Sequence, residues 1–199
     1  ALDVLDIERF AQAAHDHGVP LIVDNTFATP VFCRPIEWGA DIVTHSTTKY
    51  MDGHGVGVGG AIVDSGNFDW MANAERFPGL TTPDESYHGI VYAEKFGQAG
   101  AFITKATSQL MRDLGSIQSP QNAFYLNNGL ESLHVRMPQH FRNGLAVAEY
   151  LEGSDKVTSV RFPHLPSDPY YPLAQKYLPE GGSGVVSFEL AGGRAAAEK

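Results

Sequence analysis

The sequence predicts an α/β fold with a mostly parallel sheet. Segments with helical spacing alternate along the chain with short apolar segments of strand length. The segment 19–23 is apolar apart from Pro20, which is typical of a parallel strand covered on both faces. In such sheets ligands bind at the carboxyl ends of the strands, so polar residues at these ends are the first candidates for a site.

The first elements follow from local patterns. Helical spacing of apolar residues predicts a first helix, with Asp6 as its N-cap and Gly18 just beyond its end. Strands are predicted over 19–23, 41–45 and 61–63. The segment 70–92 is then rich in glycine, proline and polar residues. Because it is long for a structureless connection, we expect it to be functional or to lie at an interface.

Helices dominate the next part of the chain. An amphipathic stripe predicts a helix that ends at Gly115, and Ser119-Pro120 is a typical start for another. Pro138 is expected to kink or interrupt the helical stretch around 130–150. Strands are predicted over 157–162 and 185–190, where a second α/β unit begins.

Composition restricts the classes of function. The 199 residues are 43% hydrophobic and 19% charged, as in an ordinary globular protein, and their formal net charge is −9. This charge, without a basic patch, argues against nucleic acid and anionic membranes as partners. No apolar run reaches the roughly 18 residues of a membrane span. Cys33 is the only cysteine, so no intramolecular disulfide can form, and a cytoplasmic location is expected.

The candidate chemistry lies at two predicted strand ends. Asp24 follows the first strand, and Ser46, Thr47, Thr48 and Lys49 follow the second. Pyridoxal 5′-phosphate (PLP) requires such a set: a lysine that traps its carbonyl, donors to its phosphate and an anion facing its pyridine nitrogen. Taken singly, Lys49 could be a solvated surface lysine and Asp24 a turn aspartate. The occurrence of both at strand ends of one sheet favours a cofactor site.

The order and spacing of these residues resemble those of the cysteine and methionine metabolism family of PLP enzymes, the trans-sulfuration enzymes. The resemblance implies that Lys49 is the catalytic residue and that Asp24, Ser46, Thr48 and Lys49 bind PLP. It also implies an aspartate aminotransferase-type, PLP-dependent transferase-like fold. Thr47 occupies a position where the family tolerates small residues, and Asn25 and Thr26 are expected behind the site or in a simple turn.

The resemblance also implies a domain division. Residues 1–130 are expected to form part of the PLP-binding large domain, and residues 131–199 a linking helix and the incomplete start of a C-terminal domain. The predicted first helix has no strand before it, and the last strand has few partners, so we expect the middle portion of a longer polypeptide. Residues for ring stacking and for the substrate carboxylate are then expected outside this chain.

Two longer segments, 68–96 and 163–179, resemble the O-acetylhomoserine sulfhydrylase branch of the family. That branch transfers alkyl groups in methionine biosynthesis: O-acetyl-L-homoserine and sulfide give L-homocysteine and acetate by γ-replacement. The resemblance implies an amino-acid substrate, sulfide and a homo-oligomer, a tetramer built as a dimer of dimers. Cystathionine γ-synthase or γ-lyase and methionine γ-lyase remain alternatives, as does a non-catalytic fragment.

Other motifs carry no comparable prediction. Gly55, Gly57 and Gly60 match a dinucleotide-binding pattern, but they precede a strand instead of opening a helix. Close approach of the backbone beside Lys49 is the better interpretation of this segment. His15 and His17 are two residues apart on a helix and point to different faces. No metal site is predicted.

Overall fold

The computed structural model describes residues 2–198, and its strands form two sheets. Strands β1 (Ile22–Asp24), β2 (Ile42–Ser46) and β3 (Gly60–Asp64) form the first sheet in that order. β1 and β2 are parallel, whereas β3 runs antiparallel to β2. Strands β4 (Val157–Arg161) and β5 (Ser187–Leu190) form an antiparallel pair. The predicted α/β class is confirmed.

Helices connect and cover these strands. They are α1 (Ile7–Asp16), α2 (Thr29–Phe32), α3 (Pro78–Thr81), α4 (Tyr92–Lys105), α5 (Arg112–Leu114), α6 (Pro120–Glu131), α7 (Leu133–Glu152), α8 (Tyr171–Tyr177) and α9 (Gly193–Ala197). Single 3₁₀ turns lie at Pro35–Trp38, Ala74–Arg76 and Glu85–Tyr87, and a π-helical segment, Ala106–Met111, joins α4 to α5. Within residues 2–198, no helix has both the length and the apolar character needed to cross a bilayer.

The predicted helix ends are confirmed where a side chain or a glycine determines them. The Asp6 carboxylate accepts a hydrogen bond from the Arg9 N–H at 3.4 Å, and the Ser119 hydroxyl accepts one from the Asn122 N–H at 3.2 Å. Gly18 ends α1 with a φ of +63°. These contacts satisfy N–H groups that a helix start leaves without a partner.

The predicted effect of Pro138 needs a correction. The break between α6 and α7 falls at Ser132, and α7 continues through Pro138. A proline in a helix removes one hydrogen bond. Leu133 and Met137 are both buried, so packing of this part of α7 holds the helix together despite that loss.

The segment 70–92 is also more ordered than its composition indicates. Trp70 lies edge-on to Phe77, with ring centres 5.1 Å apart, and stacks on Phe102 of α4 at 5.9 Å. Leu80 and Tyr92 are buried with them. The segment therefore covers α4 and the neighbouring face of the sheet with an aromatic cluster.

A second cluster of buried residues lies beside the candidate site. It consists of Phe32, Met51, Leu133 and Met137 and packs α7 against the chain that follows β2. Phe141 of α7 contacts Phe32 with ring centres 6.0 Å apart. This cluster fixes α7 relative to the turn that carries Lys49.

Candidate active site

The ends of β1 and β2 bring Asp24 and Ser46 to one edge of the sheet. Asp24 is the last residue of β1 and Ser46 the last of β2, and the two strands are parallel. Asp24 pairs with Thr44, and side chains alternate along a strand, so Asp24 and Ser46 lie on the same face. The structure therefore brings the predicted carboxylate and one predicted hydroxyl together.

The Asp24 carboxylate is exposed and ionised. Hydrogen bonding from Thr26 holds its pKa below the ordinary value against the opposing effect of partial burial, and His45 contributes a smaller effect of the same sign. The Thr26 N–H donates to Asp24 Oδ1 at 2.9 Å. The sheet edge thus presents a negative charge at neutral pH.

Asn25 and Thr26 tie the two strand ends together. The Thr26 hydroxyl accepts a hydrogen bond from the Ser46 N–H at 2.7 Å. The Asn25 N–H donates to the Thr44 carbonyl at 2.9 Å, and its side-chain amide donates to the Cys33 carbonyl at 2.8 Å. Both residues are buried, and their contacts keep Asp24 and Ser46 in register.

Lys49 lies in a tight turn directly after β2. Its N–H donates to the Ser46 carbonyl at 3.3 Å, and its carbonyl accepts from the Gly53 N–H at 2.9 Å. The Asp52 N–H closes the turn on the Thr47 carbonyl at 3.0 Å. The side chain of Lys49 is exposed, and its amine has no hydrogen bond or ion pair with another residue between 2 and 198.

The two predicted phosphate donors differ in their contacts. The Ser46 hydroxyl makes no hydrogen bond within the described chain. The Thr48 hydroxyl accepts from the Gly59 N–H at 3.1 Å and donates to the Gly59 carbonyl at 3.3 Å. Thr48 therefore holds the glycine-rich segment beside Lys49. Of its two hydrogen bonds, the one in which the Thr48 hydroxyl donates its hydrogen to the Gly59 carbonyl is the longer and weaker.

The glycine-rich segment approaches the Lys49 turn closely, as predicted. The Thr47 N–H donates to the Gly59 carbonyl at 3.0 Å. A Cβ at Gly59 would lie 2.8 Å from the Thr47 hydroxyl oxygen, so a side chain at this position would force the neighbouring groups to shift. The buried Asp52 carboxylate accepts from the N–H groups of His54 and Val56, both at 3.3 Å, and so shapes the start of the segment.

Arg136 of α7 is part of this region, and the sequence patterns did not identify it. Its guanidinium donates to the Tyr50 carbonyl at 2.8 Å and to the Met51 carbonyl at 3.3 Å. More than eighty residues of sequence separate Arg136 from these partners, and no local motif marks it. Among the residues described, no cluster of three or more His, Cys, Asp or Glu could hold a metal ion.

Similarity to known proteins identifies the family. The family model described as Cys/Met metabolism PLP-dependent enzyme matches residues 1–199. The chain belongs to this family. The homocysteine/cysteine synthase of Kluyveromyces lactis is 49% identical over 187 residues, which are 94% of this chain and 42% of that protein. The O-acetyl-L-homoserine sulfhydrylase of Leptospira meyeri is 43% identical and aligns with the whole chain and 46% of its own length.

A solved structure of the family has the same fold. It is a putative O-acetylhomoserine (thiol)-lyase from Campylobacter jejuni that contains a pyridoxyl-lysine phosphate. The TM-score is 0.87 at 35% identity, and the alignment covers 94% of this chain and 46% of that one. The chain thus spans less than half of the length of these relatives.

Proposed function

We propose that the complete protein is a PLP-dependent enzyme that makes L-homocysteine and acetate from O-acetyl-L-homoserine and sulfide. The observation that carries this proposal is the arrangement at one sheet edge of an ionised carboxylate, a hydroxyl and a lysine amine on a rigid turn. Relatives named homocysteine synthase and O-acetyl-L-homoserine sulfhydrylase, 42–49% identical over nearly the whole chain, support the choice of substrates.

The residues present fit PLP. The cofactor needs an amine, an anion and phosphate donors, and Lys49, Asp24 and Ser46 offer these with no competing ion pair on the amine among the described residues. Thr48 is suited to a shared role, because its hydroxyl oxygen can keep accepting from Gly59 while its hydrogen turns toward a phosphate. When bound, PLP supplies an electron sink for the bond changes at the substrate.

Each side chain then has a defined task. Lys49 would hold the cofactor covalently, and its amine, when free, would carry protons to and from the substrate. The Asp24 carboxylate would keep a proton on the pyridine nitrogen through a charge-assisted hydrogen bond. Ser46 and Thr48 would donate to the phosphate. Asn25 and Thr26 keep Asp24 and Ser46 in register.

The organisation of the complete protein is part of the same proposal. Residues 1–130 belong to the PLP-binding large domain, and residues 131–199 supply the linking helix and the start of the C-terminal domain. The protein works in the cytoplasm as a homotetramer, a dimer of dimers. Apolar side chains that are more than 70% exposed in this chain, such as Leu114, Ile117 and Tyr150, support association with further chain segments or copies.

Chemical trapping tests the cofactor site. Borohydride reduction of the complete polypeptide with PLP should attach the cofactor to the peptide that contains Lys49. Attachment at Lys95 or Lys105 instead would contradict the assignment. Lys49→Ala should lower kcat/KM by about 10²–10⁴-fold or more, as for a positioned acid or base. Lys95→Ala is the control, because Lys95 is an exposed residue of α4 far along the chain from this turn.

A substrate comparison tests the reaction. The enzyme should turn over O-acetyl-L-homoserine faster with sulfide than with cysteine, measured as kcat/KM under identical conditions. Cysteine, unlike sulfide, carries an ammonium and a carboxylate group. A site that does not pair these charges binds cysteine less tightly. A preference for cysteine, with cystathionine as product, would place the protein in the cystathionine γ-synthase branch and leave the roles of Lys49 and Asp24 unchanged.

A further inference from the structure

One guanidinium joins the Lys49 turn to the break between α6 and α7. Arg136 donates to the carbonyls of Tyr50 and Met51, which directly follow Lys49. It also donates to the Gly129 carbonyl at 2.7 Å and to the Ser132 hydroxyl at 2.9 Å. The Gly129 carbonyl also accepts from the N–H and the hydroxyl of Ser132, at 3.3 and 3.2 Å, so Arg136 has its second anchor at the end of α6.

Two glycines provide the space for this contact. Gly53 has a φ of +73°, and a Cβ there would lie 2.4 Å from Nη1 of Arg136. A Cβ at Gly129 would lie 2.3 Å from the Asp52 carbonyl oxygen. Glycine thus occupies the position where the guanidinium approaches the turn and the position where α6 approaches it. A side chain at either position would prevent the close contact, which indicates that the sequence is adapted to it.

The charge and shape of arginine suit this position. Burial lowers the pKa of Arg136 and the nearby Asp52 carboxylate opposes that effect, but a guanidinium stays protonated in proteins. Its planar fork can therefore donate in several fixed directions at once. A lysine would keep the charge but would present a single nitrogen on a flexible stem. The side chain of Met51 is buried in one apolar cluster with Leu133 and Met137.

We propose that Arg136 is a positioning residue for Lys49. By holding the Tyr50 and Met51 carbonyls, it fixes the direction in which the Lys49 side chain leaves the backbone and hence the place its amine can reach. Arg136 acts through the backbone and is not itself a catalytic residue. The inference rests on the proposed role of Lys49 as the residue that holds the cofactor.

The first test does not depend on the cofactor. Hydrogen exchange of the cofactor-free complete polypeptide reports on the amides of Asp52 and Gly53, which close the turn. In Arg136→Gln, exchange over residues 47–53 should rise about tenfold relative to the wild type, because the carbonyl partners are lost and the turn opens more often. Arg142→Gln on the same helix is the matched control, because Arg142 is exposed and, among residues 2–198, its side chain has a hydrogen bond with Gln139 alone.

The second test measures the position of the amine. The rate at which PLP becomes linked to Lys49, followed by visible absorbance and by borohydride trapping, should fall by about 10-fold to 100-fold in folded Arg136→Gln. Arg136→Lys should recover part of this rate, and Arg142→Gln should react as the wild type does. A merely structural residue would lower the melting temperature without changing the rate of linkage in the folded state.

The two measurements can each contradict the role of Arg136. Unchanged exchange over 47–53, or an unchanged rate of linkage, in folded Arg136→Gln would overturn it. If Arg136→Gln does not fold, Arg136→Lys replaces it, and a uniform rise in exchange across the chain would assign Arg136 to global stability instead. If PLP attaches elsewhere in the wild type, the proposed function fails, whereas the exchange result still shows whether Arg136 holds the turn.

Discussion

Replacing Gly129 by alanine tests how closely α6 must approach the Lys49 turn. The added methyl group would lie 2.3 Å from the Asp52 carbonyl oxygen and 2.6 Å from that of Met51. Real Cβ atoms essentially never come within 3.0 Å of a non-bonded heavy atom from another part of the chain. Both neighbours are backbone atoms, and Arg136 donates a hydrogen bond to the Met51 carbonyl at 3.3 Å. The turn therefore cannot move away without losing hydrogen bonds.

Two opposing effects set the magnitude. Alanine is favoured over glycine in a helix by about 1 kcal/mol. Overpacking a tight site costs about 1–3 kcal/mol, and the upper end applies where rigid backbone must shift. The difference predicts that Gly129→Ala lowers the free energy of unfolding by about 2 kcal/mol, so the clash outweighs the gain in helix propensity.

Urea titration of the cofactor-free complete polypeptide, followed by circular dichroism, measures this change as a shift in midpoint at unchanged slope. Gly100→Ala in α4 is the control. There the new Cβ would lie 3.1 Å from the Phe96 Cβ, a side-chain atom, and 4.0 Å from the Thr104 hydroxyl oxygen. This variant should be close to neutral or slightly stabilised. Equal midpoints for the two variants would refute the close approach of α6 to the turn.

Three further predictions follow from single contacts. Asp24→Asn should lower kcat strongly while PLP still attaches to Lys49, because the proton on the pyridine nitrogen loses its charged partner; turnover at the wild-type rate would assign that role to another group. The Lys105 amine lies 2.7 Å from Asp84 and is the main cause that lowers the pKa of this carboxyl from 3.8 to about 2. Because the pKa of Asp84 is lower in the folded protein than in the unfolded chain, its ionised carboxylate stabilises the fold above pH 3.8, and this contribution is lost as the pH falls from 3.8 towards 2. In that pH window, Asp84→Asn should therefore lose less stability than the wild type. Ser119→Ala should lower the free energy of unfolding by about 1 kcal/mol, since α6 loses its N-cap, and an unchanged urea midpoint would contradict this.

Local features of the fold could be predicted from the sequence. Asp6, Ser119 and Gly18 determine helix ends through contacts with residues close in sequence, and the structure has these ends where the patterns indicate. The strand ends at Asp24 and Ser46 were also predictable, because a polar residue after an apolar run of strand length marks the end of a strand. Their catalytic and binding roles stay predictions, although their juxtaposition is observed.

Features that depend on distant partners could not be predicted. The break at Ser132, instead of Pro138, follows from the burial of Leu133 and Met137 in a cluster that includes the chain after β2. The contacts of the Thr48 hydroxyl depend on the path of the glycine-rich segment, which leads from the Lys49 turn into β3, the strand antiparallel to β2. Arg136 has no local signal, because its partners lie in another part of the chain.

These distant partners hold the backbone at Lys49 in place, whereas its amine has no hydrogen bond or ion pair among residues 2–198. The turn is closed by its own hydrogen bonds, tied to α7 by Arg136 and held on its apolar side by buried Met51. The side chain of Lys49 is exposed and has no partner among residues 2–198. A lysine that must hold a cofactor and later carry protons needs both properties: a fixed origin, so that the amine is already near its target, and a mobile stem, so that it can move between two positions. A loose turn would spread the positions of the amine, and an ion pair would hold it in one of them, so the contacts described for residues 2–198, which restrain the backbone and not the amine, suit this proposed role.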